Sequence, residues 1–379
     1  MRIDKLDSIR GIAAMAVVLG HCWGSLPPPR AGSWLFYVAG SPLALLRDGI
    51  DAVVVFFVLS GLVLAPPFLA ARPRRYRPFV VRRICRIWIP YAVVLIVAVA
   101  LYLCLDLTPA HAPDIPDSPL NWRPVPTLAL FARSLFMIGL DDPLNPPMWT
   151  LVHEMRISLI FPLLVLLVTR LPWRTACLLA AGFSIGASVV SALQLGGVVT
   201  SLAESARWAC FFVFGVAIAR YRDGLRVWFS GLRQWQKLGL AVMGLFPMYP
   251  PTRHLLVSDD TWFGQLRWLS AAGAVLVFVV AINSRRIGRL LEWPPLTSLG
   301  RVSYGVYLLH APVLIIATSV SVRPLPFTLA VALVPVVTVA LAAVLHRFVE
   351  LPAIGLGRRL SQDPHVAANI DDPFAPRVR

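Results

Sequence analysis

A chain of 379 residues that is 58% hydrophobic and 14% charged, with a mean hydropathy of +0.72, is too apolar for a soluble enzyme of this size. Its formal net charge is +16, but the excess lies in short segments between apolar runs and forms no nucleic-acid-binding motif. That excludes a DNA or RNA partner and favours anionic lipid or an anionic cofactor.

Apolar runs near twenty residues recur and predict an all-α integral membrane protein with about ten transmembrane helices: 9–25, 49–69, 87–104, 151–169, 175–195, 203–220, 237–251, 264–283, 302–320 and 326–347. Barrel strands would instead alternate in segments of about ten residues. The first run follows Asp4 and Asp7, has no clear small-x-small cleavage site and encloses Arg10 and His21, so it reads as a retained span. Arg2 and Lys5 precede it. Basic residues then fill alternate links: Arg72 to Arg86, Arg170 and Arg174, Arg220 to Lys237, Arg285 to Arg289, and Arg347 to Arg359. Ten spans with both termini cytoplasmic give this alternation. The expected division is a membrane domain over 1–356, an extracytoplasmic Pro-rich loop at 105–148 within it, and a polar, disordered cytoplasmic tail at 357–379. Inside the loop, "LALFARSLFMIGL" (128–140) is too short to span and reads as interfacial or re-entrant. A loop this long can shape an acceptor site.

Five segments carry candidate chemistry. In "LDSIRGIAAMAVVLGHCW", Arg10 and His21 are eleven residues apart, about three helical turns and roughly 16 Å, so they share one face. Ionisable groups inside a span are costly and mark function by default. Asp7 precedes Arg10 by three and can pair with it. Arg10 also fits a headgroup anchor, and His21 a histidine bonded between helices. Cys22 diverges from His21 on the helix and reads as a small buried cysteine. In "VFFVLSGLVL", Ser60 and Gly61 let a helix or ligand approach closely. "RRICRIWIPY" sets Arg82 and Arg86 four apart on one face, as an anion clamp or an ordinary basic anchor. In "NPPMWTLVHEMRISLIFPLLV", His153, Glu154 and Arg156 step around the helix and cannot all face one partner. Glu154 is expected to face the bundle, as a catalytic carboxylate or as half of a salt bridge. "SLGRVSYGVYLLHAP" places Ser303, Tyr307 and His310 on one face able to line a cavity, or to serve as interfacial anchors. None of Cys22, Cys85, Cys104, Cys177 and Cys210 forms a CxxC pair or a metal-ligand spacing with histidine, so neither a disulfide framework nor a metal site is expected.

These segments in this order, ending in "FVELP", resemble the acyltransferase family 3 membrane proteins, which include O-antigen and exopolysaccharide O-acetyltransferases and macrolide acyltransferases. The resemblance runs from Leu6 to Pro352. It implies transfer of an acyl group, usually acetyl, from cytoplasmic acyl-CoA to a hydroxyl of a carbohydrate or small molecule, in a bacterial inner membrane. The family's arginine and histidine motif falls on Arg10 and His21, its paired arginines on Arg82 and Arg86, and its glutamate on Glu154. Where the family reads Trp-Ser-Leu-Ser, this chain reads "WTLVHE", departing at Thr150 and His153. The implied mechanism docks the CoA phosphates on Arg10, Arg82 and Arg86 and uses His21 as general base or transient acyl carrier. Ser60, Tyr304, Tyr307 and His310 are candidate donors to the oxyanion. The rival reading is a multi-span transporter or flippase with a proton or substrate path through His21, Glu154 and Arg156. The sequence shows neither a repeat nor matched broken helices in its support.

Overall fold

A computed structural model describes residues 4–26, 32–71, 75–105, 125–138, 144–249, 267–320 and 326–361. The described residues form helices and connecting turns, with no strand among them. In chain order these are α1 (Asp4–Gly24), α2 (Trp34–Gly40), α3 (Gly49–Leu64), α4 (Pro66–Leu69), α5 (Tyr76–Cys104), α6 (Leu128–Leu135), α7 (Trp149–Arg170) and α8 (Trp173–Ala192). They continue as α9 (Gly197–Arg220), α10 (Arg222–Gly231), α11 (Gln234–Leu245), α12 (Trp268–Asn283), α13 (Arg285–Leu291), α14 (Pro294–Val320), α15 (Phe327–Leu345) and α16 (Leu351–Leu360). A π-helical turn, His346–Glu350, joins α15 to α16.

Among the described residues seven helical stretches are long and apolar enough to cross a bilayer, and the pair α12 and α13, bent by 94°, makes a possible eighth. Two of the ten expected spans differ for physical reasons. α1 has the length, but Asp4, Lys5, Asp7, Arg10 and His21 lower its hydropathy. α11 has only 12 residues, about 18 Å of helix, too short for a bilayer core of about 30 Å. Most of the Pro-rich loop, at 106–124 and 139–143, and the tail from 362 lie outside the described residues. Residues 357–360, expected in the disordered tail, instead continue α16 to Leu360.

Packing explains why the polar α1 sits at the centre. It runs along α14, with Gly11 facing Gly300: a Cβ on Gly11 would lie 2.7 Å from the Gly300 nitrogen and 2.9 Å from the Leu299 carbonyl carbon. Likewise, a Cβ on Gly300 would overlap the Asp7 carbonyl. α3 and α9 cross in the same manner, Gly61 against Phe212 and Gly215 against Val58 and Leu62. Lipid tails supply little drive to bring apolar helices together, so close backbone approach at small residues holds these crossings. An aromatic cluster fills the space between α3, α5, α7 and α9: Phe57 on Trp208 and Phe212, and Phe161 on Phe79 and Phe212. The short α6, too short to span, is tied to α5 by Trp88 Nε1 donating to the Leu135 carbonyl at 2.8 Å and Tyr91 OH donating to the Ser134 carbonyl at 2.7 Å.

Candidate active site

At one end of the α1 stripe, His21 and His310 stack with ring centroids 5.2 Å apart and planes 26° apart. His310 is fully buried, and its Nδ1 donates to the Tyr307 carbonyl at 2.7 Å. The Tyr307 hydroxyl donates to the Pro147 carbonyl at 2.8 Å and lies 2.7 Å from Thr150 Oγ1, so the threonine that departs from the family pattern anchors this tyrosine. Pro312 sets the local geometry. It has no N–H to give the Leu308 carbonyl four residues earlier, and Asn145 Nδ2 donates there instead at 3.0 Å.

At the other end the guanidinium groups gather. Arg10 Nη1 bonds Asp7 Oδ1 at 3.0 Å, as their spacing predicts. Half-buried Arg86 lies near the charges of Arg10, Arg83, Glu350 and Asp7. Glu154 faces the bundle, its Oε1 receiving Arg83 Nη2 at 2.6 Å and Ser60 Oγ at 3.3 Å. Arg83 also donates to Ser158 Oγ from Nε at 3.1 Å and from Nη2 at 3.0 Å. His346 Nδ1 and Glu350 Oε2 lie 2.8 Å apart across the π-helical turn. Such turns recur at functional sites.

Of the two arginines near Arg86 on this helix, the buried one is Arg83, where the sequence pattern points to Arg82. Arg82 Nε instead donates to Ser361 Oγ at 2.6 Å, toward the end of α16. The signal is present in the sequence: Phe79, Arg83, Ile87 and Tyr91, each four apart, form the buried stripe of α5. Glu350 and Asn145 are further site residues that motif reasoning passes over. Asn145 is recognisable only once Pro312 is seen to free a carbonyl beside it.

His153, Glu154 and Arg156 do not all face one partner: Glu154 meets Arg83, whereas His153 and Arg156 both reach Ser205, Arg156 Nη1 donating to its Oγ at 3.3 Å. His153 Nδ1 lies 2.8 Å from Ser205 Oγ, while Arg156 donates to Ser201 Oγ at 2.6 Å and to the Met137 carbonyl at 3.0 Å. Arg156 thus braces the segment after α6. The four candidate oxyanion donors are already engaged. Tyr304 OH donates to the Ile87 carbonyl at 2.7 Å, Tyr307 to Pro147, Ser60 to Glu154, and His310 Nδ1 to Tyr307. Among the described residues no cluster of three or more histidines, cysteines or carboxylates is placed to hold a metal, and all five cysteines are free thiols.

A family model described as an acyltransferase domain matches residues 3–347. The chain is 27% identical over 372 residues to the Bacillus subtilis (strain 168) protein YrhL, named provisionally as a peptidoglycan O-acetyltransferase. That match covers 92% of this chain and 54% of YrhL, so the chain spans about half of that relative's length. It is also 27% identical over 390 residues to the acyltransferase MdmB of Streptomyces mycarofaciens, covering 95% of this chain and 94% of MdmB. No solved structure matches the chain.

Proposed function

The chain belongs to the acyltransferase domain family, acyltransferase family 3, and from that premise we propose that this multi-pass membrane O-acyltransferase moves an acyl group, acetyl in the simplest case, from cytoplasmic acyl-CoA to a hydroxyl of a cell-envelope glycan or related carbohydrate or small molecule. The observation that carries this reading is the polarity of one seam through the bundle, with guanidinium groups at one end and two imidazoles at the other. The name of YrhL supports a glycan acceptor.

The CoA phosphates meet Arg10 and Arg86 at the mouth, with Arg82 on its rim, since guanidinium forks suit phosphate. The pantetheine arm then reaches along α1, whose rise between Arg10 and His21 is about 16 Å. His21 takes the proton of the acceptor hydroxyl as its oxygen attacks the thioester carbonyl. The C–S bond breaks, and the leaving thiolate takes up that proton from the imidazolium. Glu154, gripped by Arg83 and Ser60, fixes a cation of the cluster. In a two-step variant the acyl group rests on His21 between donor and acceptor.

The test is thiol release from acetyl-CoA by purified protein, together with the ester content of envelope glycan, read by mass, in cells with and without the gene. His21→Ala should abolish both thiol release and glycan ester. Normal turnover by that variant would overturn the reading.

A further inference from the structure

The turn of α14 beside His21 holds buried lone pairs with no donor. The Tyr307 carbonyl can only accept, so its bond at 2.7 Å fixes the proton of His310 on Nδ1. In the neutral ring Nε2 is then an acceptor. That atom is buried and has no hydrogen-bond partner among the described residues, and the residue is 0% exposed. Two residues earlier, the Leu308 carbonyl likewise fixes the orientation of Asn145: Nδ2 donates, and Oδ1 is a second buried acceptor with no partner among the described residues. A buried acceptor left without a donor is costly, so a ligand that brings O–H donors recovers what the site lacks.

We infer that His310 Nε2 accepts a second, non-reacting hydroxyl of the acyl acceptor while His21 serves the reacting one. The acceptor class is therefore a polyol, a sugar with a neighbouring hydroxyl, rather than a simple alcohol. The stacked rings, 5.2 Å between centroids, set the two imidazoles side by side, as two adjacent hydroxyls on one ring require. The inference rests on the acyl-CoA reading above and adds to it the recognition of the acceptor. It also gives His310 a role opposite to oxyanion donation, because the available atom offers a lone pair and no proton.

The experiment pairs one substitution with two acceptors. Purified protein is supplied with acetyl-CoA and either trans-1,2-cyclohexanediol or cyclohexanol, and kcat/KM is followed by thiol release above the acceptor-free rate. The wild-type protein should prefer the diol by about tenfold or more, the worth of one well-placed hydrogen bond. His310→Phe keeps the ring volume against His21 and removes the lone pair. It should bring the ratio of diol to cyclohexanol kcat/KM down to about one. His310→Gln, which can return an acceptor oxygen, should restore part of the preference. Equal use of both acceptors by the wild-type protein overturns the inference. So does a His310→Phe variant that loses both rates together, which marks a purely structural ring. A wild-type protein that releases no thiol with either acceptor defeats the acyl-CoA reading itself, a result distinct from lost diol preference.

Discussion

At the scale of single residues, neighbouring arginines on α5 should behave differently. Arg83 is buried and tied to Glu154 and Ser158, whereas Arg82 reaches outward to Ser361. Removing one partner of a buried ion pair leaves an uncompensated charge and costs about 3–5 kcal/mol. Arg83→Ala should therefore lower the midpoint of thermal unfolding in detergent and abolish transfer, while Arg82→Ala leaves the midpoint within a degree or two of wild type, as a partly exposed contact of about 1 kcal/mol predicts. Equal losses in the two variants would remove the distinction. Legibility at this scale follows the reach of one helix. Asp7, Arg10 and His21 are readable because helical period alone places them on one stripe. Arg82 and Arg83 each lie at a permitted helical spacing from Arg86, and only the four-residue stripe of Phe79, Ile87 and Tyr91 favours Arg83. Asn145 is invisible for a stronger reason: its partner is a carbonyl on another helix that becomes available only because of Pro312.

At the scale of elements, two devices position the site, and each can be removed. Pro312→Ala supplies the N–H missing from α14, which then competes with Asn145 for the Leu308 carbonyl. The helix should be more regular, yet the turn at Asn145–Met148 loses its tether, and with it the Pro147 carbonyl that holds Tyr307. Transfer should fall while thermal stability holds or rises, measured side by side on purified protein. A fall in stability with unchanged transfer would contradict this assignment. The α1–α14 crossing is the second device. Gly300→Leu forces a side chain into the Asp7 backbone, and overpacking of this kind costs about 1–3 kcal/mol where neighbours can yield. Here the obstacle is main chain, so the unfolding midpoint should drop by at least the amount that range implies. Gly182, where an added Cβ would meet nothing within 4 Å, should accept alanine without loss. The apolar runs make most of these helices legible, because twenty apolar residues have few soluble alternatives. Helix ends are less so: α5 begins at Tyr76, eleven residues before the expected apolar start at 87, since its first turns carry Arg82, Arg83 and Arg86.

At the scale of the whole molecule, the mechanism depends on the seam having a direction, with the arginine end on the cytoplasmic side. Basic residues crowd the links that include Arg75 and Arg77, and the rule for such links places them in the cytoplasm. α5 is long enough to join the two sides: its 29 residues span about 43 Å from Tyr76 to Cys104. Cys104 is exposed at the far end, while Cys22, Cys85 and Cys210 are buried and Cys177 is half-buried. A membrane-impermeant maleimide applied to intact cells should therefore modify Cys104. In a Cys104→Ser background, Arg75→Cys should be modified only in inverted vesicles. The reverse pattern would put the guanidinium end outside, where acyl-CoA is not found, and the donor would have to enter at the histidine end. The acyl-CoA reading would then fail even with every side-chain contact intact, because the same seam would present its anion-binding mouth to the wrong compartment.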